Sequence, residues 1–182
     1  MMKLNFMILL VFFFQLFYSQ QKKTYLESKI ILEEKNKLSQ KIDSSIIANK
    51  DSFSRSITEG SSTTYNKNHK QTGSGGFSVY TIRNKSNNKL KKIDYSSTLH
   101  IDKPFQNSEI VRYEIYFDGN EHPFFSKITE DHYTMKDVLT SHQFFINLPE
   151  SSMELEKIYF SNPETHKTII KIFEIVKGYE KR

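Results

Sequence analysis

Histidines and acids are the residues of this sequence best suited to chemistry, and their spacing decides what they can do. The six histidines are His69, His100, His122, His132, His142 and His166. None recurs at the i, i+4 spacing that sets two imidazoles on one helix face, and there is no cysteine to complete a tetrahedral site. The densest group is Glu121-His122 with Glu130-Asp131-His132. An extended strand between its two halves, at about 3.3 Å per residue, holds them too far apart to share an ion. Serine is abundant, yet no Gly-x-Ser-x-Gly elbow occurs. The acid pairs Glu33-Glu34 and Glu130-Asp131 are adjacent in sequence, so their side chains diverge on a helix or a strand. Gly73-Ser74-Gly75-Gly76 leads into a strand pattern, whereas a phosphate cradle must open a helix. The expectation is therefore a chain without catalytic residues, metal ligands or cofactor, leaning away from an enzyme.

Binding chemistry is better represented. His100, Arg112, Glu114 and Tyr116 fall on one face of two successive strand patterns, together with Lys92 and Asp94. Arginine and tyrosine anchor interfaces because each joins a large contact area to directional hydrogen bonds. These four residues are the candidate binding site, on a face expected to meet water.

The elements that must position them centre on Glu109 to Glu130. Val111, Tyr113, Ile115 and Phe117 alternate with Arg112, Glu114, Tyr116 and Asp118, the period-2 pattern of a half-buried strand. Asp118-Gly119-Asn120 supplies residues that tolerate positive φ, Pro123 helps close the loop, and Phe124 to Ile128 resumes a strand-like run. An antiparallel hairpin is predicted.

Upstream, 24–50 reads as a helix without glycine or proline. Its apolar stripe is Leu26, Ile30, Leu38, Ile42 and Ile46, widened by Ile31 and Ile47. Residues 51–59 suggest a short edge strand, and the glycine- and serine-rich 60–76 a flexible loop. Strands follow at 77–83 and 90–101, the second with Ile93, Tyr95, Leu99 and Ile101 on the covered face. Lys92, Asp94, Ser96, Thr98 and His100 take its other face. Residues 134–148 fit either a helix opened by Thr134-Met135-Lys136-Asp137 or, at Gln143 to Leu148, a strand. Leu155 to Ser161 suggests a further strand. Asn162-Pro163-Glu164 starts a helix well, although 163–177 is apolar nearly all round and a strand also fits. The fold class expected is α+β: an N-terminal helix packed on an antiparallel meander of four to six strands, with helical material near the C-terminus.

Gly75-Gly76 before a strand, Lys92-Ile93, and Tyr113-Glu114-Ile115-Tyr116-Phe117-Asp118-Gly119-Asn120 with aromatics after the turn resemble small, uncharacterised exported bacterial proteins with an N-terminal helix and a β-meander. The resemblance spans residues 40 to 130, implies the fold, and carries no functional residues.

Composition and address bound the rest. The chain has 182 residues, enough for one core, with 15 Phe, 10 Tyr and no Trp. Lys3, the apolar run from Phe6 to Phe14, and Ser19 read as a secretory signal peptide cut after Ser19 or Gln20. The run to Tyr18 is broken by Gln15 and is shorter than the roughly 20 apolar residues of a spanning helix. A single domain over 20–182 is expected, exported to the periplasm or beyond. Without cysteine it is neither a lipoprotein nor disulfide-stapled. Removing residues 1–19 takes away one base, leaving 25 basic against 21 acidic residues, scattered rather than striped. Neither nucleic acid nor, after cleavage, a membrane is an expected partner. The functional expectation is a non-enzymatic binding module for a protein or small ligand outside the cytoplasm, a class that includes inhibitors of secreted enzymes. The alternative is a small hydrolase or apolar-ligand carrier with a cavity between helix and sheet.

Overall fold

The computed structural model describes residues 28–101, 107–133 and 139–179. A helix, α1 (28–48), and a 3-10 turn (Lys50–Ser52) lead into six strands. These are β1 (Phe53–Tyr65), β2 (Gln71–Asn84), β3 (Leu90–Ile101), β4 (Asn107–Phe117), β5 (Pro123–Tyr133) and β6 (Leu139–Asn147). Two helices, α2 (Ser152–Ser161) and α3 (Pro163–Tyr179), complete the chain. The strands form one antiparallel sheet in chain order, a pure meander. The expected α+β class is the one observed.

Period-2 alternation sorts the strands into two faces, and each face is covered. On the first, Ile93, Ile115 and Ile128 meet Ile169, Ile172 and Val176 of α3 in a continuous core. On the second, Tyr116 and Phe125 pack with Phe145 of β6 and with Leu32 and Ile42 of α1. The sheet therefore lies between α1 and the α2–α3 pair. This corrects the expected assignment: α3, not the N-terminal helix, covers the face of Tyr113 and Ile115. Ile115 is wholly buried there and Tyr113 half-buried.

The burial of α1 also departs from the predicted stripe. Ile46, Ser39 and Ile42 turn inward with Leu32, whereas Ile30, Ile31, Leu38 and Ile47 are exposed. Positions 32, 39 and 46 repeat every seven residues, so the buried line is tilted from the one drawn through the most apolar residues.

Three further expectations are revised. Most of 60–76 is strand, closed by a turn over 66–70 in which the Asn66 side chain accepts from the amides of Asn68 and Lys70 and His69 takes φ 56°. The glycines there serve close packing instead of a loose loop. A Cβ on Gly75 would stand 2.1 Å from the Thr98 carbonyl oxygen, and one on Gly60 would run into the Phe77 ring. Residues 155–161 are helical, within α2, not strand. In the β4–β5 turn the positive φ, 64°, falls on Glu121 and not on Gly119 or Asn120. Asp118 Oδ1 accepts from the amides of Asn120 and His122, shaping that turn from its start.

The two ambiguous segments resolve. Residues 139–147 are strand β6, and 163–179 helix α3 with Asn162 Oδ1 accepting from the Thr165 amide at its start. The Thr134-Met135-Lys136-Asp137 motif lies outside the described residues, as do Pro104 and the segment expected to be a signal peptide.

Candidate functional site

The register aligns the second face into rows that cross the whole sheet. One row runs Arg55, Ile82, Lys92, Tyr116, Phe125 and Asn147. The next runs Ile57, Tyr80, Asp94, Glu114, Lys127 and Phe145, and the third Glu59, Ser78, Ser96, Arg112, Thr129 and Gln143. α1 lies over the central residues of the first two rows, Lys92, Tyr116 and Phe125 among them, whereas Ile57 and Tyr80 at the β1–β2 end and Arg112 and Gln143 of the third row are exposed. The candidate residues are divided accordingly.

Glu114 and Tyr116 belong to a covered network centred on Lys92. The Lys92 ammonium donates to Glu114 Oε2 at 2.7 Å and to Asp43 Oδ1 of α1 at 2.9 Å. Asp94 Oδ1 stands 3.1 Å away as an ion pair without hydrogen-bond alignment. Lys127 reaches Glu114 Oε1 at 2.9 Å. The Tyr116 hydroxyl lies 2.7 Å from Asp43 Oδ2 and 3.0 Å from Glu114 Oε2, and its one proton serves one carboxylate at a time. Tyr116 is 1% exposed, so the aromatic expected to face water is instead the floor of the α1 interface.

Electrostatics follow from this geometry. Burial works against the Lys92 ammonium, but the surrounding carboxylates outweigh it and hold its pKa well above the usual lysine range. Burial pushes the Tyr116 phenol far up, and the carboxylates beside it push further. Burial would also raise Glu114, yet Lys92 and Lys127 overcome it and hold the acid at about 2. Asp94 is raised, by burial first, with Lys92 opposing. An ammonium locked on and a phenol locked neutral make a poor nucleophile, base or acid. What this arrangement does well is clip α1 to the sheet.

Arg112 and His100 stand in the open part. Arg112 Nη1 donates to Asp131 Oδ2 at 2.7 Å, with almost half of the arginine side chain still exposed. Ser141 of β6 donates to Asp131 Oδ1 at 2.6 Å. That bond first, and Arg112 after it, hold the Asp131 carboxyl below its ordinary range. His100 lies farther out, its Nδ1 2.7 Å from Ser108 Oγ. It joins neither group.

Sequence reasoning missed Asp43, Lys127, Asp131 and Ser141. Asp43 carried a usable signal, since it lies within one turn of both Ser39 and Ile46 and so shares their face. Lys127 depended on the β4–β5 register, and the Asp131–Ser141 pair on the β5–β6 register. The Glu121 carboxylate acts elsewhere in the fold. Its Oε1 accepts from the Leu90 amide at 2.7 Å and from Arg83 at 3.4 Å, tying together the turns at one end of the sheet.

The described residues form open concavities on the surface. A groove of about 640 Å³ runs between the β4–β5 turn and α2, lined by His122, Phe124, Glu150, Leu155 and Phe173 among others. One of about 440 Å³ lies beside β6, against α2 and α3. A notch of about 250 Å³ sits at the C-terminal end of α1. The middle of the α1–sheet interface is filled by Tyr116, Phe125 and the Lys92 network. No protein-family model, curated protein or solved structure matches this chain.

Proposed function

We propose that the protein is an exported, non-enzymatic binding module whose partner is another protein outside the cytoplasm, a role that includes neutralising a secreted enzyme. The observation carrying this reading is the polar row Glu59, Ser78, Ser96, Arg112, Thr129 and Gln143, which spans all six strands with Glu59, Arg112 and Gln143 exposed and the three hydroxyl residues half-buried. Ile57 and Tyr80, paired across strands at its border, are 51% and 43% exposed. An exposed Arg and Tyr amid small hydroxyl residues match the composition of contact surfaces. Among the described residues, Tyr116, Phe125 and the Lys92 network occupy the space between α1 and the sheet where the hydrolase or carrier alternative would need a chamber.

The test is affinity capture from periplasm and medium, comparing the wild type with an Arg112→Ala, Tyr80→Ala double variant. Loss of a specifically captured protein in the double variant is the expected result. Equal capture by both, or release of a small apolar molecule on extraction, overturns the reading. Intact mass of the exported protein should lack residues 1–19 or 1–20.

A further inference from the structure

Strand β6 is an edge, and its sequence Leu139–Asn147 has no Asp, Glu, Lys, Arg or Pro. The opposite edge, β1, carries Arg55, Glu59 and Gly60. Charged residues and bulky interruptions are how sheets keep edges from pairing, because an unprotected edge presents a row of free backbone donors and acceptors. Among the described residues, β1 carries such protection and β6 does not.

Helical layers reach β6 on both faces. On the first face the groove of about 440 Å³ is lined by Phe144, Ile146, Ile158 and Ile169, and α2 beside it exposes Met153 and Phe160 at 66% and 76%. On the second face α1 crosses the strands. Its Asp43 is over β3, its Leu32 packs on the same Tyr116–Phe125 cluster as Phe145 of β6, and Lys35 is 4.0 Å from Glu150 just past β6. The preceding turn, with Ile30 and Ile31 at 48% and 43% exposure, therefore stands at the β6 end of the molecule.

We infer that β6 pairs with β6 of a second copy of this chain, antiparallel about a twofold axis, to give one twelve-stranded sheet across the dimer. A twofold perpendicular to the sheet keeps each face on its own side, so the partner's Phe144 falls beside this copy's groove and contact is self-complementary. The size is suitable. Nine residues at about 3.3 Å each give an edge about 30 Å long, and three layers each about 10 Å thick make a face on the order of 900 Å². A stable interface needs about 800 Å² per partner. An added peptide strand would satisfy the backbone but leave the helical layers that reach β6 on both faces without a partner, which is why a second copy, bringing its own helical layers, is the occupant. The surface is the edge of the sheet, not its open face, and does not depend on the function assigned to the polar row.

Sedimentation velocity across a dilution series of the chain purified intact from its expressing host is the direct test. A Gln143→Lys, Asn147→Lys variant sets lysines at two exposed β6 positions, and Ile57→Lys does the same on β1. The wild type should form a dimer whose dissociation constant rises at least about tenfold in the β6 variant and is unchanged in the β1 variant. Should the β6 variant misfold by circular dichroism, amide exchange on the wild type decides: β6 amides should exchange more slowly as concentration rises. A monomer at every concentration, a dimer indifferent to the β6 lysines, a dimer broken by Ile57→Lys, β6 exchange independent of concentration, or a foreign peptide copurifying on β6 overturns the proposal.

Discussion

Lys92 shows how much one residue can organise. Its ammonium donates to Asp43 of α1 and Glu114 of β4 and pairs in charge with Asp94 of β3, and its Nζ lies 4.9 Å from the Tyr116 ring centre. Replacing it with methionine keeps the volume but leaves three carboxylates crowded in a covered site. Lys92→Met should cost about 3–5 kcal/mol, because a broken buried pair is worse than none. Tyr116→Phe should cost about 1–3 kcal/mol for the lost bond to a carboxylate. Urea midpoints will report both. The same groups set the pH dependence. Glu114 titrates at about 2 in the fold against an ordinary 4.5, so its contribution is complete above 4.5 and is lost as pH falls towards 2. Asp131, also lowered, adds to this loss, while Asp94, raised, opposes it. At the alkaline end, Lys92 contributes fully below its ordinary 10.5, and neutral Tyr116 below its ordinary 10.0. Stability should thus fall below 4.5 and above 10, and Glu114→Gln should flatten the acid limb. An unchanged acid limb in that variant would show that Glu114 is not the group responsible.

Among the elements, α1 combines two kinds of contact. Leu32, Ile42 and Ile46 supply apolar burial, and Asp43 supplies the charge that selects the Lys92 face of the sheet. Neighbouring isoleucines make the assignment testable: Ile46 is 4% exposed and Ile47 67%. Ile46→Ala should cost about 2–5 kcal/mol and Ile47→Ala within about 0.5, read by thermal or urea unfolding. The reverse order would mean that α1 is turned by about 100° from this orientation. Strands β2 and β3 show the complementary dependence on a missing side chain, since Gly75 lets the Thr98 carbonyl approach where any Cβ would collide.

At the scale of the molecule, one sheet serves two cores, Ile93–Ile115–Ile128 against α3 and Tyr116–Phe125 against α1. Adjacent residues on β4, Ile115 and Tyr116, belong to opposite clusters, so loss of either side strips support from the strand they share. Unfolding should be a single transition when followed by tyrosine fluorescence and far-ultraviolet circular dichroism, with Ile46→Ala and Ile169→Ala lowering the same midpoint. Two separated transitions would show that α1 docks independently of the core beneath α3.

The sequence alone was enough for the strands from Phe77 to Ile128, the central hairpin and the parity of its faces, because alternation along a strand is local and survives any packing. It was enough for the capped start of α3 at Asn162-Pro163-Glu164 for the same reason. It suggested the first half of β1 as an edge strand but did not reveal the second half of β1 or the first half of β2, where serine, threonine and glycine spell a loop until cross-strand pairing gives them a ladder. Nor did it decide which layer covers which face. Tyr116 reads as polar in a period-2 pattern, and its burial depends on Asp43, 73 residues earlier, meeting its hydroxyl. Of the candidate site, Arg112 was read correctly as exposed, while Glu114 and Tyr116 were claimed by α1. Charge pairs between distant elements have no periodicity to read, so only the tertiary structure could decide them.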